Sequence, residues 1–345
     1  MFRLLIAAFA FACSVWAVDT EDLVRKSVPL TSATRLRLNV EFGSVRVMPG
    51  TEGRAGVEVY FRGVPPNQGE FDQMLRDFKL DVREQVSDVI VRATFVDGWI
   101  PRSPFEFFKP RHPICDNWRC LKYSRWLREV EFRVTVPRQF DADVTTRGNS
   151  ISVRDLKGEV NARTSGGSIQ LEHIEGPVNG RTSGGSIALV GGAGSAVVRT
   201  SGGSIRVSQV KGDVDASTSG GSISIERSSG RVIARTSGGR ILLREITGSV
   251  DASTSGGAVT ASLLAQPTGD CRLSTSGGSI HVSAPKDVRV NLEASTSGGS
   301  VATDFPVPRA GDRHRRELRA PLNGGGPLLY LHTSGGGIDV RYAGS

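Results

Sequence analysis

Four sets of residues have types and spacings that could do chemistry. The first is a serine motif. Thr-Ser-Gly-Gly begins at Thr164, Thr182, Thr200, Thr218, Thr236, Thr254, Thr275, Thr296 and Thr333, with a weaker copy at Thr146. A serine beside glycines suggests a nucleophile, but one motif in ten copies cannot be ten active sites, so its role is structural. The second set is the position before each Thr, where Arg163, Arg181, Arg199 and Arg235 alternate with Ser217 and Ser253. Asp215 and Asp251 fall two residues earlier in their units. This arrangement reads either as a salt-bridged column, with each exposed pair worth little, or as a basic stripe for a glycan or anionic lipid head group. The third set is the stretch Asp97 to Arg128, where Trp99, Phe105, Phe107, Phe108, Trp118, Tyr123 and Trp126 are interleaved with Arg and Lys. Aromatic faces with cations suit sugar rings or a protein surface, which makes Trp99, Phe107, Trp118 and Trp126 candidate binding residues. The same stretch could instead be a self-packed lid over the first coil, pinned by a disulfide between Cys115 and Cys120. The fourth set is the histidines, His112, His173, His281, His314 and His332, which fall at unrelated positions without metal-ligand spacing. No catalytic residue, metal or cofactor is expected. A lyase or hydrolase on such a scaffold needs carboxylates clustered on adjacent coils, and the spacing places none there.

The motif's flanks show what positions these residues. Successive copies stand 18 residues apart up to Thr254. Four and two residues before the Thr stand Val160 and Ala162, Val214 and Ala216, Val232 and Ala234, and Leu329 and Leu331. Five and seven after it stand Ile169 and Leu171, Ile205 and Val207, Ile223 and Ile225, and Ile338 and Val340. Period-2 alternation on both sides of a glycine corner predicts two short half-buried strands per unit. Such a unit cannot bury its apolar face alone, so the copies must stack. The fold class is therefore all-β: a β-solenoid of narrow two- or three-sided coils, about 18 residues each, with an N-terminal β-rich capping region that holds one short helix. At roughly 4.8 Å per coil, ten coils span on the order of 45 Å. The glycine pair is expected to take positive φ at the corner and to avoid a clash with the next coil. Thr and Ser should stack into hydroxyl columns, and Cys271 falls in the Val column as an inert core residue. Calcium-binding rolls carry Asp in their glycine turns, which this corner lacks, and ice-binding arrays hold Thr on a strand face rather than at a corner.

Residues 18–140 read as the capping region. A degraded motif from Leu36 to Val47 forms a capping coil, a short helix lies at Gln68 to Phe78, and strands run over Val82 to Phe95 and Val130 to Val136. Residues 141–345 form the solenoid, interrupted at 304–328 and ended by a terminal coil at 329–343. Residues 1–17 read as an export signal: Arg3, then the apolar run Leu4 to Ala12, then Val15-Trp16-Ala17 as the cleavage site. That run is too short to span a bilayer. Export fits a Cys115–Cys120 disulfide and a periplasmic or cell-surface location. The net charge of +8 and pI near 9.7 permit contact with anionic polymers, while scattered Lys and Arg without a nucleic-acid-binding motif disfavour nucleic acid.

The opening coil Phe42-Gly43-Ser44-Val45 and the closing Leu322-Asn323-Gly324-Gly325-Gly326 before Thr333-Ser334-Gly335-Gly336 resemble the bacterial DUF4097 adhesin-like family. The resemblance covers residues 30 to 343. It implies a β-solenoid at or near the cell envelope with no catalytic residues to carry over, and the insertion at Asp97 to Arg128 departs from the family pattern. The expected function is that of an exported, non-catalytic, monomeric scaffold. Its partner would be envelope polysaccharide, anionic lipid head groups or another envelope protein. The alternatives are a carbohydrate-active β-helix enzyme and an envelope-stress sensor.

Overall fold

The computed structural model describes residues 22–40, 42–61, 69, 72, 75–76, 78–95, 129–307 and 315–343. The export signal and the expected sites Trp99, Phe107, Cys115, Trp118, Cys120 and Trp126 lie outside the described residues.

The chain builds two facing sheets of fourteen strands each, so the coil is two-sided. In one unit it runs through Val160–Arg163, crosses the Thr164–Ser168 corner, continues as Ile169–Ile174, turns, and returns at Val178 one coil further on. The strands before each motif form a pre-corner sheet and those after it a post-corner sheet. Neighbouring strands are parallel and in register, with Val160 beside Val178 and Ile169 beside Ile187. The expected inward columns are the core: Ala162, Ile169, Leu171, Ala216, Ile223 and Ile225 are all fully buried.

A third inward side chain comes from an unexpected bend. Along Ile169–Ile174, Glu172 and His173 both face outward before Ile174 turns in. His173 has a left-handed backbone, φ 52°, as do Asp155, Gln209, Arg227 and Glu245 at the equivalent positions, with Gly191 completing the column. Each non-glycine residue there costs roughly 1–2 kcal/mol. The bend brings Leu156, Ile174, Val210 and Ile246 into the core, where burying each side chain contributes about 1.5–3 kcal/mol.

The corner glycines do not take positive φ, contrary to expectation; no glycine of the Thr-Ser-Gly-Gly pairs has a left-handed backbone. Close stacking requires them instead. A Cβ on the second glycine, Gly203, would lie 2.0 Å from the Gly185 carbonyl oxygen of the preceding coil, whereas one on Gly202 would sit at 3.5 Å from the nearest atom. This pair is therefore unequal, with only Gly203 sterically fixed, whereas in the C-terminal coils the first glycines Gly298 and Gly335 also meet a carbonyl oxygen, at 2.8 and 2.9 Å. The buried Thr explains why the backbones approach so closely. Thr218 Oγ1 donates to the Gly203 carbonyl one coil back at 2.8 Å and accepts from Gly221 N at 3.3 Å. The same pair of bonds recurs at Thr182, Thr200, Thr236 and Thr254. The serine after the glycines is spent similarly, with Ser186 Oγ accepting from Ser204 N at 3.2 Å.

Both ends depart from the order of the chain. Leu36 to Val47, expected to cap the rod, is the second coil in space. Its strands Arg35–Val40 and Ser44–Pro49 lie between the coil at Asp141–Thr145 and Ile151–Arg154 and an outer coil made by Asp88–Phe95 and Val130–Val136. Antiparallel strands close that outer coil: Phe78–Gln85 pairs with Asp88–Phe95, and Arg54–Phe61 with Val130–Val136, followed by Asp22–Pro29. Gly69, Asp72, Leu75 and Arg76 have helical backbone, but Phe78, placed in the helix by its spacing, opens a strand.

At the other end the last motif coil, Leu328–Thr333 with Ile338–Tyr342, does not terminate the rod. It is intercalated between the coil at Cys271–Thr275 and Ile280–Ala284 and the coil at Val290–Thr296 and Val301–Thr303. The interruption makes this possible. Glu317–Leu322 runs antiparallel along Val290–Thr296, and left-handed Asn323, Gly324 and Gly325 (φ 50°, 93° and 83°) then reverse the chain. Asn323 Nδ2 secures the reversal by donating to the Lys286 and Val288 carbonyls at 2.9 and 2.8 Å. The described core holds Val, Ile, Leu and Ala in its middle and aromatic rings at its ends: Phe42 against Phe132 at 5.8 Å, and Phe305 against Tyr342 at 4.6 Å. Fourteen strands at about 4.8 Å make a rod of roughly 60 Å, longer than the motif count alone implies.

Candidate interaction surface

Parallel in-register stacking turns each outward repeat position into a row along the rod. On the pre-corner face, Arg163, Arg181 and Arg199 are direct neighbours, followed by Ser217, Arg235 and Ser253. Most of the arginine charge is matched locally. Arg199 Nη2 meets Asp215 Oδ2 at 3.1 Å, Arg235 Nη2 meets Asp251 Oδ2 at 2.8 Å, and Arg163 Nη1 lies 3.7 Å from Asp143 Oδ1. Each contact spans one coil step: Asp215 and Asp251 reach back to the Arg one residue before the previous Thr, whereas Asp143 lies on the coil behind Arg163. With the guanidiniums about half exposed, these pairs contribute about 0–1 kcal/mol each. Arg181 alone of the four has no carboxylate partner among the described residues. Beside it on the same strand, Asn179 Oδ1 is buried without a hydrogen-bond partner.

Of the two readings of this row, the salt-bridged column describes Arg163, Arg199 and Arg235, with Arg181 as the one unmatched guanidinium of the four. Cys271 is buried, as its place in the Val column implies, and burial raises its thiol above the ordinary range. Among the described residues, no group of three or more His, Cys, Asp or Glu side chains could hold a metal ion, and no helix is long and apolar enough to cross a membrane.

The C-terminal end of this face holds residues that motif spacing alone does not bring together. Because the last coil is intercalated, Tyr330 lies beside Arg272 and His332 beside Ser274. The Arg272 guanidinium stands 5.3 Å from the Tyr330 ring centroid, and the His332 ring stacks near the same tyrosine at 6.4 Å. In chain order Arg272 would neighbour Glu293, so the contact is visible only in the spatial order. The sequence signal for it is the aromatic content itself: after residue 141 only Phe305, Tyr330 and Tyr342 occur, all at this end.

The strands on either side of the aromatic insertion, which itself lies outside the described residues, form the outermost N-terminal coil. Its strands Asp88–Phe95 and Val130–Val136 belong to the pre-corner and post-corner sheets respectively.

No curated protein matches the chain. Solved structures that resemble it include a "putative cell adhesion protein" from Clostridium sporogenes, at 10% identity over 93% of this chain and 99% of that one, with a TM-score of 0.20. A "putative adhesin" from Bacteroides fragilis matches at 10% identity over 93% and 96% of the two chains, with a TM-score of 0.32. One family model spans almost every coil, from residue 34 at the edge of the first motif-like strand to residue 340 in the intercalated last one, and by that match the chain belongs to the Toastrack DUF4097 family.

Proposed function

We propose that this protein is an exported, non-catalytic interaction scaffold at the cell envelope that holds a surface polymer or another envelope protein. One observation carries the reading: the repeated polar groups are consumed in coil-to-coil bonds, with every Thr from Thr164 to Thr254 donating to the coil behind it. What remains for function is display, that is, two flat faces whose outward side chains recur at fixed spacing on a stiff frame. The edges support a monomer. The outermost strands carry the devices that discourage pairing with other chains: Lys79, Asp81, Arg83 and Glu84 on one, Glu317, Arg319 and Pro321 on another, and only three residues in Val301–Thr303. The signal-like first 17 residues and family membership support export and a periplasmic or surface location. Arg181 and the aromatic residues Trp99, Phe107, Trp118 and Trp126 are the proposed contacts of the central and N-terminal parts of the rod, and Arg163, Arg199 and Arg235 flank the contact as tethered neighbours.

The test is incubation with a panel of envelope polysaccharides, measuring retention on the polymer and release of reducing ends together. Retention without release is expected, weakened by Trp118→Ala with Trp126→Ala. Release of reducing ends would make the protein a carbohydrate-active enzyme.

A further inference from the structure

A charged pocket with an aromatic wall lies at the end of the rod where chain order breaks. Two departures from the regular repeat create it. The unit after Thr254 is 21 residues long, Thr254 to Thr275, and its extra length falls in the second turn, at Leu264 to Asp270. The intercalated coil then sets Tyr330 next to Arg272 on the outer face. Between them opens a pocket of about 320 Å³ whose lining includes Arg231, Ser249, Asp251, Asp270, Arg272 and Tyr330. That volume is at the lower end of small-ligand sites.

The groups in it are unequally committed. Asp251 is tied to Arg235 at 2.8 Å, and one oxygen of Asp270 accepts from Leu328 N at 2.8 Å. Asp270 keeps its second oxygen free of any partner among the described residues, and Ser249 adds a hydroxyl. Arg231 and Arg272 are exposed, and their guanidiniums have no carboxylate partner among the described residues; the Arg231 backbone N–H is held by Asp213 Oδ1 at 2.8 Å, and the Arg272 guanidinium faces the Tyr330 ring. The pocket therefore presents unsatisfied guanidinium donors of positive charge together with spare carboxylate and hydroxyl acceptors. A bare phosphate or sulfate satisfies the first set and is repelled by the second. A neutral sugar satisfies the second and leaves the first unmatched. A ring that carries one carboxylate and several hydroxyls satisfies both, because guanidinium pairs with carboxylate through two parallel bonds and Asp and Ser accept from hydroxyls.

We infer that this pocket is a subsite for a uronic-acid residue of an acidic polysaccharide, with Arg231 and Arg272 on the sugar carboxylate, Asp270 and Ser249 on its hydroxyls, and Tyr330 as the wall. The inference rests on the scaffold reading above and names the polymer class for it. It also gives the intercalated coil a functional consequence, since Tyr330 reaches Arg272 only in that order.

Calorimetric titration of the full chain with trigalacturonate tests it, with maltotriose and inorganic phosphate as comparison probes. Saturable binding of trigalacturonate is expected, with maltotriose and phosphate each at least tenfold weaker. Arg231→Gln and Arg272→Gln should each weaken binding by tenfold or more at unchanged melting temperature. Arg206→Gln, on the post-corner face, should leave it as it is. The inference is overturned if trigalacturonate does not bind, if phosphate binds as well as it does, or if both pocket variants bind like the parent. Loss on Arg181→Gln instead would move the polymer to the arginine row, overturning this site while leaving the scaffold reading intact. The scaffold reading fails separately, when no envelope polysaccharide of the panel retains the protein and no envelope protein is retained by it in a parallel pull-down from envelope extract.

Discussion

The middle of the rod and its ends solve the same stacking problem in opposite ways. Between Val160 and Thr254 each coil neighbours the one before and after it in the chain, fills its apolar core with aliphatic side chains alone, and returns the polar atoms of its buried Thr to the adjacent coil. At the ends the first and last motif-like coils each lie one place inside, and an outer coil with antiparallel strands covers them. A parallel stack left in chain order ends on an open apolar face and unpaired edges, which invites association. Bringing the chain back inward lets a hairpin or a reversed strand, short and charged, take the edge. The middle is thus specialised for repetition and the ends for closure, and new side-chain combinations such as Arg272 with Tyr330 arise where closure breaks the repetition.

If that contrast is right, coils should be expendable in the middle and indispensable at the end. Removing the last motif coil by truncation after Leu322 empties a slot between two coils and should leave no cooperative native transition in urea. Excising one 18-residue unit as a block, Ala196 to Asp213, should keep a single transition at lower stability, because Val214 can take the place of Ala196 in the same register.

Within the middle, the two corner glycines separate steric need from backbone freedom. Gly203→Ala, with its Cβ 2.0 Å from a neighbouring carbonyl, should cost about 3 kcal/mol or more by urea unfolding, beyond the usual range of overpacking. Gly202→Ala, at 3.5 Å, should cost less than about 1 kcal/mol. Equal costs would mean that the corner needs glycine for its dihedral angles.

The hydroxyl column gives a smaller effect. Thr218→Val keeps the shape but takes the donor from the Gly203 carbonyl and the acceptor from Gly221 N, so a loss of about 1–3 kcal/mol is expected. Ser219→Ala, on the exposed ridge, should lie within about 0.5 kcal/mol of the parent.

The smallest effects are set by pH and differ between the regions. At the N-terminal end Glu84 accepts from the backbone N–H groups of Ser32, Ala33 and Thr31, which hold its carboxyl below the usual range. Its stabilisation is present above the unfolded-state pKa and is lost as pH falls through the depressed folded value. Glu84→Gln should therefore flatten the acid limb of a stability profile. Toward the other end, burial raises the Cys271 thiol, so the folded state holds that proton to higher pH than the unfolded chain. Stability from this group is complete below the unfolded thiol pKa and declines as pH rises toward the folded value, and Cys271→Val should remove the decline.

The repetitive half of the fold was legible in the sequence because period-2 alternation and an 18-residue phase fix which side chains face inward. Val160, Ala162, Ile169 and Leu171 needed nothing more. Phase does not say which coil lies beside which. Thr296 and Thr333 are equivalent in register, so either could follow Thr275, and the choice is made by Glu317–Leu322 and the Asn323 reversal. The left-handed column was hidden for a different reason: Asp155, His173, Gln209, Arg227 and Glu245 share a backbone conformation without sharing a side-chain type. Of the candidate site, the arginine row and its aspartates were readable from spacing, whereas Tyr330 joins Arg231 and Arg272 only through the intercalated coil.

That intercalation is the claim on which both the closure of the rod and its charged pocket depend, and disulfide trapping on the outer face tests it directly. Ser274 and His332 are paired neighbours, about 4.8 Å apart along the stack and within reach of a disulfide. Ser274 and Ser295 are two steps apart, about 9.6 Å, which is beyond reach. Mild oxidation should cross-link the Ser274→Cys, His332→Cys double variant and leave Ser274→Cys, Ser295→Cys reduced. The opposite outcome, a bond between positions 274 and 295 and none between 274 and 332, would show the coils stacked in chain order and contradict the account.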